Sequence, residues 1–155
     1  MFVPSSYSED KIVYLDLDNV VTNTNAGKSI LDQLEKSKKS ALLRFEKKGK
    51  ELKIIEDEIK KQKNIISEEE LRKKLLEFRK ELANFRQERQ KVINEFNQKK
   101  KVEFDQFFKK ITPIIQKYVS EKNIDIVLDR KKVFVASKKK DITKEIIDMI
   151  NANLK

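Results

Sequence analysis

The chain of 155 residues is highly charged and basic, with 36 Lys and Arg against 26 Asp and Glu, a net charge of +10, and a hydrophobic share of only 38%. With two glycines and two prolines it has few of the turn-forming residues that a compact fold with many turns requires, so long uninterrupted helices or strands are expected. The absence of cysteine and histidine excludes disulfides, thiol chemistry, imidazole bases and the usual transition-metal ligands.

The first predicted element is a short strand from Ile12 to Leu17, a β-rich stretch closed by a turn at Asp18. Residues 1–10 have polar and turn-forming types and are expected to be a loose arm. They lack the basic and then apolar pattern of a secretory signal, so the chain is either cytoplasmic or its signal is not included. Thr24 or Asn25 offers a cap for the next helix.

A seven-residue repeat then predicts the first helix of a coiled coil. Its positions, spaced alternately three and four apart, are Leu31, Leu34, Lys38, Ala41, Phe45, Lys48, Leu52, Ile55, Ile59, Gln62 and Ile66. Eight of these eleven positions are apolar, a pattern too long for an ordinary surface helix.

A second helix follows a predicted turn near residues 64–67, where Ser67 and Glu70 have the spacing of a capping box. Its stripe, apolar except at Arg89, is Leu71, Leu75, Phe78, Leu82, Phe85, Arg89, Val92 and Phe96. Together with the stripe of the first helix it predicts an antiparallel helical hairpin. Polar residues interrupt the seam at Lys38, Lys48, Gln62, Arg89 and Lys99. These residues would either control the register of the two helices or weaken the packing between them, an effect to which Gly49 would add because glycine lowers helix stability.

Past Phe96 the stripe widens through Phe104, Phe107, Phe108, Ile111, Ile114, Ile115 and Tyr118, which indicates a helix that faces a body as well as a partner helix. Pro113 is expected to bend this helix near Lys109 to Thr112 or to start a new segment.

Two further strands are predicted, from Ile124 to Leu128 and from Val133 to Ala136, paired as a hairpin through the polar residues 129–132. A basic loop from Ser137 to Lys140 leads into a closing helix with Ile146, Ile147, Ile150 and Leu154 on one side. Three short strands per chain make a sheet too small to be stable alone, so oligomerisation is expected to complete it.

The predicted fold class is therefore α+β and mainly α. A small base would carry a long antiparallel coiled-coil hairpin. Residues 1–23 would form the N-terminal arm and strand of the base, residues 24–110 the hairpin with its tip near 64–67, and residues 111–155 the remainder of the base.

The sequence resembles the Skp/OmpH family of periplasmic chaperones along nearly its whole length. The similarity is specific in the strand Ile124 to Asp129 and in Asp141-Ile142-Thr143 before an Ile-rich helix, and it includes the opening strand from Lys11 and the charged hairpin. It implies a homotrimer, in which strands of three chains form one small β-barrel and the hairpins surround a cavity for unfolded outer-membrane proteins. It also implies a periplasmic location and action without ATP.

One motif favours an enzyme instead. Residues 12–22, with Asp16 and Asp18, look like the first motif of haloacid-dehalogenase phosphatases, where the first aspartate attacks phosphorus and the second handles the proton. Such an enzyme also needs a doubly wound domain and glycine-rich turns, which this composition does not supply. The aspartates are interpreted as strand-end and turn residues, and no catalytic residue, cofactor or metal site is predicted.

The candidate site residues fall in two groups. The trimer base is assigned to Ile12, Tyr14, Leu15, Ile126, Leu128, Val133 and Val135, and contacts with cargo or an anionic partner to Arg79, Arg86, Arg89 and Lys91. Their cations would attract acidic clients or, as the resemblance suggests, lipopolysaccharide or an anionic lipid surface. The alternatives are a basic coiled coil that binds nucleic acid or lipid, although no base-reading motif indicates specific nucleic-acid binding, and a passive structural spacer.

Overall fold

The structure, a computed structural model, describes residues 10–154 and divides into two compact units. The base unit contains the residues up to Asp32 and those from Glu103 onward, and the arm unit contains Gln33–Val102. Most of the predicted N-terminal loose arm, residues 1–9, lies outside the described residues. In chain order the elements are β1 (Ile12–Leu15), α1 (Leu17–Asn23), α2 (Asn25–Gln62), α3 (Glu68–Glu121), β2 (Ile126–Asp129) and α4 (Thr143–Asn153).

The two strands of the base unit pair in parallel, with Ile12 opposite Ile126 and Leu15 opposite Asp129. The predicted first strand is correct except at its end, because Leu17 already belongs to α1. The reason is Asp16, whose carboxylate accepts a hydrogen bond from the backbone N–H of Asn19 at 2.9 Å and so caps that helix.

The predicted β-hairpin is wrong, because residues 133–136 form no strand. The carboxylate of Asp129 accepts the backbone N–H of Lys131 at 3.0 Å and caps a single 3-10 turn at Arg130–Lys132, which leads the chain away from β2. Phe134 and Val135 are consequently 99% and 81% exposed. In-chain pairing of β2 is with β1, so the described residues contain two strands where three were expected.

The core of the base unit is built from both ends of the chain. Val20, Ile111, Ile146 and Ile150 are fully buried, and Val13 and Leu15 of β1 pack in the same cluster. The predicted closing helix is confirmed as α4, whose apolar side supplies two of the fully buried side chains.

Helix α3 continues through Pro113 without a break, so the alternative of a new segment there is wrong, and the expected bend near Lys109 to Thr112 stays a prediction. Proline removes one backbone donor, which leaves the carbonyl four residues earlier without its helical partner. The affected carbonyl belongs to Lys109, and both Lys109 and Pro113 are exposed, so solvent can satisfy it.

Candidate functional site

The arm unit consists of the facing parts of α2 and α3, and the predicted seven-residue repeat is its contact seam. Helices α2 and α3 have 38 and 54 residues, which corresponds to roughly 57 and 81 Å of helix. Of the predicted seam residues, Leu34, Leu52 and Ile59 are buried. Most of the others are partly buried, whereas the residues between them are largely exposed. The coiled-coil prediction is therefore confirmed.

The turn between the two helices also lies where the sequence places it. The backbone N–H groups of Ile65 and Ile66 donate to the carbonyl of Gln62, where α2 ends. The backbone N–H of Glu70 donates to the Ser67 hydroxyl oxygen at 3.3 Å, as expected for the first part of a capping box. Helix α3 accordingly begins at Glu68.

Two of the polar seam residues bind across the seam. The Lys48 ammonium lies 3.4 Å from a carboxylate oxygen of Glu81 on the facing helix. Farther along, the Lys74 ammonium donates to the side-chain oxygen of Gln62 at 2.6 Å. Polar contacts at fixed levels of a seam favour one register over its neighbours, which agrees with the interpretation as register control.

An aromatic and cationic cluster lies between the same two helices. The rings of Phe45 and Phe85 meet edge to face with centroids 6.1 Å apart. The guanidinium of Arg89 lies 5.8 Å from each centroid, and Arg44 lies 5.6 Å from that of Phe45. Arg44 also pairs with Glu88 at 2.7 Å. Arg89, a predicted cargo contact, is thus already engaged with the seam.

The other three predicted cargo contacts differ in their surroundings. Arg79 and Arg86 are exposed and form no ion pair with any residue between positions 10 and 154. Lys91 pairs along its own helix with Glu95 at 3.8 Å. Arg79 and Arg86 are therefore the members of the set whose charges are most available to a partner, and a cargo role for the set stays a prediction.

The arm also exposes large apolar side chains that the sequence reasoning missed. Each is at least 44% exposed, and they are Leu42, Leu43, Ile54, Ile65, Leu76, Ile93 and Val102. They lie outside the seven-residue stripe. They could have been found in the sequence as apolar residues at positions of the repeat that normally face solvent. Within residues 10–154, no helix has both the length and the apolar character needed to cross a membrane.

The predicted trimer residues divide into an inner and an outer group. Tyr14 and Leu15 are buried within the chain's own base unit. The outer group is solvent-accessible: Ile12, Ile126 and Leu128 are between 41% and 45% exposed, and Val135 is 81% exposed. Val133 is partly buried. The base unit therefore presents an apolar surface around its two-stranded sheet.

The aspartates of the phosphatase-like motif have structural partners, as their interpretation as turn residues requires. Asp16 caps α1, and the Lys131 ammonium lies 2.6 Å from an Asp18 carboxylate oxygen. The hydrogen bond that the Lys131 ammonium donates to the Asp18 carboxylate raises the pKa of Lys131, and the Coulomb attraction of Asp18, Asp129 and Asp16 adds to that effect. No cluster of acidic side chains suited to a metal ion occurs among the residues that the structure describes.

Comparison with known proteins places the chain in a family. A family model described as outer membrane protein (OmpH-like) matches residues 11–150. The crystal structure of a candidate outer membrane chaperone (OmpH-like) from Caulobacter crescentus superposes with a TM-score of 0.82 at 14% identity, covering 99% of this chain and 91% of the other. No curated protein sequence matches this chain. The family match covers most of the sequence, and the chain belongs to the OmpH-like family of outer membrane proteins.

Proposed function

We propose that the protein is an ATP-independent holding chaperone of the periplasm, which binds unfolded outer-membrane proteins and prevents their aggregation. The observation that carries this proposal is the surface of the arm, where exposed apolar side chains lie among charged residues along two long helices. Membership of the OmpH-like family supports it, as does the structural likeness to a protein described as a candidate outer membrane chaperone.

The arm surface fits a partner that is both apolar and unfolded. Its exposed apolar residues are distributed along the helices, so an extended chain could contact several of them while each contact stays weak. The net charge of +10 adds a long-range attraction for acidic clients, which speeds encounter more than it strengthens the final complex. A holding chaperone needs this combination of fast capture and loose binding.

We further propose that three copies assemble through the base unit into one small barrel. An isolated two-stranded sheet has open edges and is marginally stable in water. The exposed side chains of Ile12, Ile126 and Leu128 on the strands, with Phe134 and Val135 nearby in sequence, supply apolar surface for such contacts. Pairing between chains would also give residues 133–136 the strand neighbour that they lack within one chain.

Aggregation of an outer-membrane barrel diluted from urea tests the chaperone role. Light scattering should fall when the full-length protein is present, and ATP should make no difference. The variant Ile54→Ser with Leu76→Ser removes two exposed apolar contacts and should suppress aggregation less well. The control variant Glu58→Ser with Lys73→Ser changes exposed polar residues of the same arm and should act like the parent. Equal activity of the two variants would mean that apolar contacts on the arm do not bind clients.

The assembly is tested separately by mass in solution. We expect a trimer, and Ile126→Asp should abolish it because a charge would enter an apolar contact, at a cost of roughly several kcal/mol. A monomeric parent protein at micromolar concentration would contradict the proposed base. If the protein binds DNA or anionic vesicles in preference to unfolded protein, the alternative of a basic coiled coil that binds nucleic acid or lipid is favoured. If it binds none of them and does not change client aggregation, a passive spacer is favoured.

A further inference from the structure

The segment that follows β2, residues 130–141, is fastened to Tyr14 at both of its ends. At its start the guanidinium of Arg130 lies 5.7 Å from the centroid of the Tyr14 ring. At its end Asp141 forms an isolated parallel bridge with Tyr14, and the backbone N–H of Ile142 donates to the Tyr14 carbonyl at 3.1 Å. Tyr14 is buried in the base unit, so both ends of the segment share one buried support.

A second support holds the start of the segment. The Lys131 ammonium lies 2.6 and 2.8 Å from the two carboxylate oxygens of Asp18. Asp18 is in the first turn of α1, which is anchored in the base unit because Val20 and Val21 are buried in its core. Arg130 and Lys131 therefore bind two different elements, β1 and α1, and these two contacts are together termed the clamp.

The clamp fixes the direction in which the next residues leave the base unit. The carbonyl of Arg130 accepts the backbone N–H of Val133 at 3.1 Å, and the guanidinium of Arg130 donates to the Val133 carbonyl at 2.9 Å. Both backbone groups of Val133 are thus bonded to a residue of the clamp. Phe134 and Val135 follow directly and are 99% and 81% exposed. A turn that is held at two points therefore presents two apolar side chains to solvent.

We propose that Tyr14 and Asp18 are positioning residues for assembly, which act through Arg130 and Lys131 to hold residues 133–136 in the orientation that another copy of the chain binds. The inference rests on the proposed trimer and is independent of client binding. An exposed ion pair contributes little within one chain. When only a fraction of the chains has the binding orientation, however, the apparent affinity falls by that fraction. A trimer uses three such segments, so a twofold loss of the oriented fraction in each chain weakens assembly about eightfold.

Two substitutions on opposite sides of the ion pair test this role. Asp18→Asn raises the net charge of this basic protein and Lys131→Met lowers it, so an effect of charge alone would change assembly in opposite directions. The clamp predicts that both variants weaken the trimer, each by about eightfold, in sedimentation equilibrium of the full-length protein. The double variant should be no weaker than either single variant, since the pair can be broken only once. Opposite effects, or effects that add, would overturn the proposal.

Matched variants separate the clamp from general changes in the segment. Lys132→Met makes the same charge change as Lys131→Met at the next residue, which is exposed and forms no ion pair within residues 10–154, and it should not weaken the trimer. Arg130→Gln removes the cation beside Tyr14 and should weaken the trimer, whereas Tyr14→Phe keeps the aromatic face and should assemble like the parent. Equal weakening by Lys132→Met and Lys131→Met would contradict a role of the clamp.

Hydrogen exchange, in samples diluted until the protein is monomeric, shows whether the clamp holds the segment within one chain. Asp18→Asn leaves the sequence of residues 130–136 unchanged, yet exchange at the amides of Lys131 and Val133 should become at least twofold faster, with the protection of Ile146 unchanged. Unchanged exchange at Lys131 and Val133 would refute the clamp.

The two measurements together distinguish failure of the clamp from failure of the trimer. Faster exchange with unchanged assembly of a trimeric parent would mean that the clamp does not position the segment, which overturns the inference and leaves the trimer standing. A parent protein that is monomeric at micromolar concentration would overturn the trimer and the inference together.

Discussion

Replacing Phe85 with alanine should open the arm unit locally and leave the base unit intact. Phe85 is partly buried in the seam, so truncation forfeits about half of the roughly 3 to 5 kcal/mol typical of a core phenylalanine. Loss of the edge-to-face pair with Phe45 adds about 0.5 to 1.5 kcal/mol. The lost cation–π contact with Arg89 adds about 0.5 to 1 kcal/mol, which the better helix propensity of alanine partly offsets.

The net cost of about 3 kcal/mol corresponds to a roughly hundredfold rise in the population of the locally opened arm. Amide hydrogen exchange measures this directly, because amides near the substituted residue should exchange about that much faster while those around Ile111 and Ile146 keep their protection. Leu76→Ala is the control: Leu76 is 57% exposed, so its truncation should change stability by less than about 0.5 kcal/mol. If the two substitutions increased amide exchange equally, or if Phe85→Ala reduced protection equally in both units, Phe85 would not be a seam residue that stabilises the arm unit.

Three further perturbations have defined outcomes. Gly49→Ala should stabilise α2 by about 1 kcal/mol in urea unfolding, because an added Cβ meets no atom within 4 Å, and an unchanged midpoint would contradict this. Gly27→Ala should instead destabilise the base unit by about 1 to 3 kcal/mol, because its Cβ would lie 2.0 Å from a backbone carbonyl oxygen of α1; normal stability would mean that α1 can shift. Lys60 and Lys53 hold the pKa of Glu56 below its usual value, chiefly through hydrogen bonds. The ionised Glu56 therefore stabilises the folded arm at pH values above the ordinary glutamate pKa, roughly 4, and this stabilisation is lost as the pH falls through the lower pKa of the folded state. The arm helicity of Glu56→Gln, followed by circular dichroism, should consequently decrease less on acidification than that of the parent.

The parts of the fold that repeat along the chain could be predicted from the sequence. The seven-residue spacing of apolar residues is long enough to determine both helices of the arm, and the pair Ser67 and Glu70 locates the start of α3. These signals are local or periodic, so each residue's role depends on neighbours within two turns of helix.

Long-range pairing could not be predicted in the same way. The residues from Val133 to Ala136 have the composition of a strand, but strand formation needs a neighbouring strand, and β2 pairs with β1 from more than a hundred positions earlier. The cap from Asp129 then decides the local conformation. Likewise, the contact of Arg89 with two phenylalanines depends on which seam residues face each other across the hairpin, which a repeat on one helix does not specify.

Native mass spectrometry of the full-length protein mixed with one urea-unfolded outer-membrane barrel tests the central claim most directly. The proposed function predicts a complex of three copies of the protein with a single barrel chain, formed without ATP and absent when the barrel is folded before mixing. A mass of one copy with no bound barrel, or equal binding of folded and unfolded barrels, would contradict a trimeric chaperone for unfolded proteins.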